Sequence, residues 1–214
     1  ADPAAGEEEL LGLSIGERDE RLLALRQQLF GDQLNGFTHC PQCGERLEFS
    51  LSSADIHAVD ATGPKCDHFA VETPDTKARV RAPTSYDLLV AQACATPAEA
   101  ASVLLERCVV SVAYQGQTLA PHDLHIAERV AIAEQLSQHQ AAADVELSIV
   151  CSACEHRWVA QFDIASYFGD ELRRYATQLL DQVHILAAAY GWQEQAILAM
   201  HPQRRHAYLQ RVLA

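Results

Sequence analysis

The sequence lacks the features that would place this protein in a membrane or export it by the usual route. No apolar run approaches the roughly 18 residues that a membrane helix needs, and no charged-then-apolar signal segment stands at the start. We therefore expect a soluble, intracellular protein without membrane contact. The chain begins with Ala1 and not with methionine, which predicts a trimmed form with sequence missing upstream.

Basic residues are also scarce. The 214 residues include 16 Lys and Arg against 29 Asp and Glu, for a net charge of -13. Proteins that bind nucleic acid usually present a basic surface, because much of their affinity comes from neutralising phosphates. The charge balance therefore argues against nucleic-acid binding. The best candidate for a local basic patch is Arg204, Arg205 and Arg211, which an ordinary solvated helix face also explains.

Motifs of the common enzyme classes are missing. The chain has no phosphate-binding Gly-rich loop, no Gly-x-Ser-x-Gly and no His-Glu-x-x-His, and its ten histidines are scattered. Asp170 and Glu171 are neighbours in sequence and do not share a helix face, so they do not form a catalytic pair. We expect a non-enzymatic protein without a small-molecule substrate.

Cysteine is the informative residue type. Seven cysteines and no secretory signal argue against a disulfide framework. Four of them form two Cys-x-x-Cys knuckles, Cys40 with Cys43 and Cys151 with Cys154, and each knuckle adjoins segments of alternating apolar residues. Cys151 follows Cys40 by 111 residues, and Cys154 follows Cys43 by the same number. Since four thiolates in this spacing bind one tetrahedral zinc, we predict one structural zinc ion per chain.

Two other chemistries use similar cysteine or histidine patterns. Thioredoxin-type redox sites place one Cys-x-x-Cys at the start of a helix, and neither knuckle here opens a helix. A catalytic zinc needs an open coordination position, and His39 and His156 could act as ligands beside the knuckles. Four thiolates already close the site, which favours a structural metal.

The other three cysteines have no ligand spacing. Cys94 and Cys108 stand in apolar helical stretches, where we expect small core residues. Cys66 lies in a predicted loop near His68, so a second metal site or an ordinary loop both remain open there.

The apolar pattern predicts an α+β fold. Two zinc-knuckle β-hairpins share one four-cysteine zinc site, with a mostly helical segment inserted between them and a C-terminal helical bundle after the second. We expect a single domain over residues 1–214. Its sub-regions are an N-terminal helix and first knuckle at 14–52, inserted strands and helices at 53–143, the second knuckle at 144–163 and C-terminal helices at 164–214.

Three strings of the sequence carry a family resemblance. They are CPQCGERLEF from Cys40, CSACEHRW from Cys151 and VHILAAAYGWQE from Val183. Together with SIGERDERLL from Ser14, they resemble the baseplate protein family of contractile-tailed bacteriophages of the T-even type. The resemblance runs to Leu213. Members are described as baseplate hub assembly chaperones, and related proteins occur in phage-derived contractile injection systems.

The resemblance implies assembly and not catalysis. It implies baseplate hub or spike proteins as partners, the cytoplasm of the producing bacterial cell as the location, and retention in the assembled particle as an open question. It transfers only the four cysteines as site residues. The family often has Gly after the second cysteine of the second knuckle, where this chain has Glu155, and Gly169 replaces a frequent Trp.

The C-terminal helices are the predicted partner surface. Amphipathic helices that carry Tyr and Trp make good interface elements, and Trp192, Arg204, Arg205 and Tyr208 are the residues expected to be exposed for contact. The apolar stripe from Phe168 to Tyr190 is equally explained as core. Two functions from other classes stay open, a zinc-ribbon nucleic-acid-binding module and a zinc enzyme.

Overall fold

The structure is a computed structural model that describes residues 6–53, 56, 68–139 and 145–214. Contacts between residues divide the chain into two units, Ala1–Ile164 and Ala165–Ala214. The single domain over residues 1–214 stays a prediction. No helix among the described residues is both long enough and apolar enough to cross a membrane.

Helices and strands alternate along the first unit, and helices make up the second. The helices are α1 (Glu7–Leu11), α2 (Ile15–Phe30), α3 (Ser85–Gln92), α4 (Pro97–Cys108), α5 (Ile126–His139), α6 (Ile164–Tyr190), α7 (Glu194–Leu198) and α8 (Pro202–Leu213). The strands are β1 (Gln33–His39), β2 (Arg46–Ser52), β3 (His68–Glu72), β4 (Thr76–Arg81), β5 (Val109–Tyr114), β6 (Gln117–Leu119), β7 (Val145–Val150) and β8 (Arg157–Phe162).

Capping residues set the ends of α2. The Ser14 side chain accepts from the backbone N–H of Glu17, and the Glu17 carboxylate accepts from the Ser14 backbone N–H, which forms a capping box. The helix stops at Gly31, whose φ of +86° suits glycine. This positions β1 directly after the helix.

The buried face of α2 is not its most apolar one. Leu22, Leu25 and Leu29 are spaced by threes and fours in the sequence, yet Leu29 is 57% exposed while Leu23 and Arg26 are buried. The guanidinium of Arg26 donates to the carbonyl oxygens of Gly31 and Gln33, both at 2.7 Å. A buried arginine therefore stabilises the turn from α2 into β1. Because arginine is charged, a hydrophobicity pattern does not assign this position to the buried face of the helix.

The inserted segment between the hairpins has its own core. Strands β3, β4, β5 and β6 form an antiparallel sheet in that order. Its core residues come from these strands and from helices α4 and α5, and they include Val80, Cys108 and Ile132, each 0% exposed. Helix α5 begins at Ile126, after a 3-10 turn at Pro121–Asp123.

The two hairpins correspond residue for residue. In the first, Leu34 pairs with Leu51, and in the second Val145 pairs with Phe162. Each position in the second hairpin lies 111 residues after its counterpart, and the whole cross-strand register follows this offset. Each hairpin buries one face partly, as alternating side chains require.

One cross-strand pair differs between the hairpins in the sizes of its two residues. Gly36 faces Phe49 in the first hairpin, and Leu147 faces Ala160 at the equivalent pair in the second. A Cβ on Gly36 would lie 2.5 Å from the Cζ atom of Phe49, so the ring occupies the space above the glycine. The small and the large residue have therefore exchanged strands at this pair.

The C-terminal unit packs α7 and α8 against the last turns of α6. Its core is Leu186, Ile197 and Leu209. The predicted stripe on α6 is covered there, but Leu172 and Tyr175 farther up the helix are 40% and 45% exposed. Only part of the stripe is therefore core.

Candidate metal centre

The two knuckles bring four cysteine sulfurs together. The Sγ atoms of Cys40, Cys43, Cys151 and Cys154 all lie within 4.8 Å of one another. Two separations between opposite knuckles are 3.6 Å, one from Cys40 to Cys154 and one from Cys43 to Cys151. In both contacts the first cysteine of one knuckle meets the second cysteine of the other. This group can hold a metal ion.

Backbone hydrogen bonds shape each knuckle in the same way. The N–H of Cys40 donates to the carbonyl of Glu45 at 2.8 Å, and the N–H of Cys151 donates to the carbonyl of His156 at 2.8 Å. In the first turn the N–H of Gly44 donates to the carbonyl of Cys40, and in the second the N–H of Glu155 donates to the carbonyl of Cys151. The two loops therefore share the same backbone hydrogen bonds.

Backbone N–H groups also point at the sulfurs. Burial would raise the pKa of Cys40, but the N–H groups of Cys43 and Gln42 and the nearby thiols lower it to about 7. The N–H of His156 lowers the pKa of Cys154, yet burial and the neighbouring thiols outweigh it and raise this pKa to about 12. Four sulfurs this close resist full ionisation, and a bound cation would remove that repulsion.

The turn residue after each second cysteine has a left-handed backbone. Gly44 has φ +76° and Glu155 has φ +58°. Glycine adopts this conformation freely, whereas a residue with a Cβ is strained there. The second knuckle therefore keeps the geometry of the first with a less suitable residue, which matches the departure noticed in the sequence.

The histidines beside the knuckles do not join the cysteine group. The ring of His39 packs edge-on against Phe37, with centroids 5.7 Å apart, and the ring of His156 stacks on Trp158 at 5.9 Å. Within the described ranges the metal-capable group consists of the four cysteines alone. Four sulfurs without a histidine or an acid suit a structural metal better than a catalytic one.

The other cysteines lie apart from this group. Cys108 is a core residue as predicted, and burial raises the pKa of its thiol to about 11. Cys94 is only half-buried at the end of α3, so its predicted core role is wrong. The suggestion of a second metal at Cys66 lies outside the described residues.

The predicted partner residues divide between surface and core. Arg204 is exposed, and Trp192 and Tyr208 are half-buried and pack edge to face at 4.8 Å. Arg205 is only 6% exposed, so the expectation that it is exposed is wrong. Its Nε donates to Gln182 at 2.8 Å, because Arg205 and Leu209 share the buried face of α8. Their contact with a partner stays a prediction.

Sequence reasoning did not identify which residues supply the backbone N–H groups that support the sulfurs. The N–H groups of Glu45 and His156 each donate to the second cysteine of their knuckle. The signal available was the 111-residue offset, which places these two residues at equivalent positions two residues after Cys43 and Cys154.

Comparison with known proteins agrees with the sequence resemblance. A family model described as T4 bacteriophage base plate protein matches residues 3–169, which include both knuckles and the insert. Comparisons with curated proteins and with solved structures found no match. The matched region covers most of the chain and all four cysteines. The chain therefore belongs to the T4 bacteriophage base plate protein family.

Proposed function

We propose that this protein is a non-catalytic assembly factor or structural component of the baseplate hub of a contractile tail, held together by one zinc ion. Family membership supports a structural or assembly role in a phage baseplate. The observation that carries the zinc proposal is the convergence of four sulfurs from knuckles that are more than a hundred residues apart.

The spacing of the sulfurs fits zinc. In a ZnS₄ tetrahedron with Zn–S bonds of about 2.3 Å, neighbouring sulfurs are about 3.8 Å apart. The two inter-knuckle separations of 3.6 Å are close to that edge length. Zinc bound by four thiolates has no open position, so the ion would join the hairpins and would not activate a substrate. A non-enzymatic role is part of the proposal.

Zinc would be coupled to folding. The ligands come from segments separated by the whole insert, so a bound ion closes a long loop of the chain. Apparent binding energies of structural zinc in small peptides are about 10–16 kcal/mol, and this energy is available only when the two knuckles meet. The metal would therefore hold the two hairpins in one arrangement.

The second unit supplies the proposed partner surface. Residues 165–214 contain five arginines against four acidic residues, while residues 1–164 contain eleven Lys and Arg against twenty-five Asp and Glu. Arg204 is exposed and lies over the Tyr208 ring, with 5.7 Å from its Cζ to the ring centroid. An exposed arginine on an aromatic platform is typical of protein interfaces.

The same charges disfavour the zinc-ribbon nucleic-acid module. The unit with both knuckles is the strongly acidic one, and phosphate would be repelled there. Hub or spike proteins are therefore the proposed partners. We propose the cytoplasm of the producing cell as the place of assembly, followed by release from the particle or retention in it.

A co-purification experiment tests the hub assignment. The tagged chain is co-expressed with the hub and spike proteins encoded beside it, and we expect one of them to be retained in a stoichiometric complex. Arg204→Glu should weaken retention, while Arg173→Glu should not, because Arg173 is also exposed but lies on α6 away from Tyr208. Failure of the parent chain to retain any hub or spike protein would overturn the proposal.

A further inference from the structure

A cleft lies beside the insert, away from the cysteine group. It has a volume of about 520 Å³, and its lining includes Leu11 from α1, Tyr86 and Asp87 from α3 and Arg107 from α4. The proposed assembly function does not account for this cleft. Its chemistry follows from the buried carboxylate at its base.

Asp87 is 0% exposed and fully hydrogen-bonded. Its carboxylate accepts from two Arg81 nitrogens at 2.6 and 2.9 Å, and from Nε of Arg107 at 2.7 Å. The Thr84 backbone N–H and hydroxyl donate as well, both at 2.9 Å. Burial would raise the pKa of this carboxyl, but these donors hold it well below its usual range, so Asp87 stays ionised.

Two guanidinium groups therefore share one buried carboxylate. Arg81 uses both of its terminal nitrogens on Asp87. Arg107 uses only Nε there, and no residue in the described part of the chain accepts a hydrogen bond from its Nη1 and Nη2 atoms. One positive charge is left over, on a guanidinium whose orientation is already fixed.

The surroundings of Arg107 are partly apolar. Its Cζ atom lies 5.3 Å from the centroid of the Tyr86 ring, and that ring is 54% exposed. Leu11 lines the same cleft, and Glu8 is the acidic residue of α1 in its lining. A fixed guanidinium beside an aromatic ring and an aliphatic side chain suits a planar carboxylate next to an apolar group.

We propose that this cleft binds the carboxylate of an acidic side chain on a protein partner, chelated by Nη1 and Nη2 of Arg107. A neighbouring apolar side chain of the partner would contact Tyr86 and Leu11. That the partner is a protein rests on the proposed assembly function, whereas the preference for a carboxylate rests on the cleft alone. Glu8 opposes binding by its like charge.

Peptide titration tests the cleft separately from assembly. The ¹⁵N-labelled, zinc-supplemented full chain is titrated at constant ionic strength with a capped leucyl-glutamyl dipeptide and with its glutaminyl counterpart. We expect saturable amide shifts around Tyr86 and Arg107 with the glutamyl peptide, with a dissociation constant on the order of 1 mM. Equal shifts with both peptides, or no shifts, would overturn the proposal.

Two matched pairs of variants locate the interaction. Arg107→Lys removes the planar guanidinium that contacts Asp87 and the peptide carboxylate at the same time, so we expect about five-fold weaker peptide binding. The control Arg79→Lys lies on the exposed face of β4 and should leave peptide binding unchanged. Glu8→Gln should tighten binding about two-fold, unlike Glu9→Gln on the same helix. Identical behaviour within either pair would contradict the proposed site, even if hub components still co-purify.

Discussion

Glu155 occupies the backbone position that Gly44 fills in the first knuckle, and exchanging the residue types measures the strain at this turn. We expect Glu155→Gly to stabilise the protein and Gly44→Ala to destabilise it. The left-handed conformation costs a residue with a Cβ about 1–2 kcal/mol. Glycine itself lowers the free energy of unfolding by about 0.5–1 kcal/mol, because the unfolded chain gains conformational freedom. The net gain for Glu155→Gly is therefore about 0.5–1 kcal/mol.

Gly44→Ala isolates the strain. A Cβ built on Gly44 has no neighbour within 4 Å, so steric overlap does not contribute. The cost should be about 1 kcal/mol, which corresponds to a drop of about 2–4 °C in Tm for a chain of this size. Urea unfolding and differential scanning calorimetry, both with excess zinc, measure the two shifts.

A control separates backbone strain from loss of the glutamate side chain. Glu45 is exposed, follows Gly44 directly and does not share its positive φ. Glu45→Gly should therefore destabilise the first knuckle by about 0.5–1 kcal/mol. The reasoning about the turn is refuted if Glu155→Gly is no more stable than the parent, or if both glutamate variants change stability in the same direction.

Two further comparisons test the buried polar groups of the two units. Asp87→Asn should cost about 3 kcal/mol near neutral pH, because it leaves two arginines without their buried partner. Because the folded-state pKa of Asp87 is lowered, its contribution to the free energy of unfolding is complete above the unfolded pKa of about 4 and is lost as the pH falls below that value. Chemical denaturation should therefore show the stabilities of parent and variant converging in acid. A constant difference down to pH 2 would contradict this. Arg205→Ala should lower the free energy of unfolding by about 2 kcal/mol, and Arg204→Ala by under about 0.5 kcal/mol, because only Arg205 is buried. Thermal unfolding measures both changes, and equal losses would contradict the buried role of Arg205.

Much of the cysteine site could be predicted from the sequence. Two Cys-x-x-Cys pairs at one offset indicated a shared site, and the structure brings all four sulfurs within 4.8 Å. Strands β2 and β8 were predicted because their apolar residues alternate. The predicted first hairpin implied a strand before Cys40, but the bounds of β1 were not predicted because Gly36 weakens its strand pattern, and the cross-strand ring of Phe49 occupies the space above that glycine.

The two misassigned helix faces share a physical cause, which is charge on a buried face. Arg26 and Arg205 both occupy buried helix positions, and a hydrophobicity pattern places arginine at the surface. The network of Arg81, Asp87 and Arg107 joins residues from one strand and two helices. Pairing over such sequence separations depends on the tertiary fold and leaves no local spacing signal.

Metal analysis of the purified full chain tests the central claim most directly. We predict about one zinc ion per chain, bound by four thiolates. Cys43→Ser should lose the metal and lower Tm sharply, while Cys94→Ser should keep both, because Cys94 lies outside the cysteine group. A folded parent protein without zinc, or a Cys43→Ser variant with the metal content and Tm of the parent, would contradict the account.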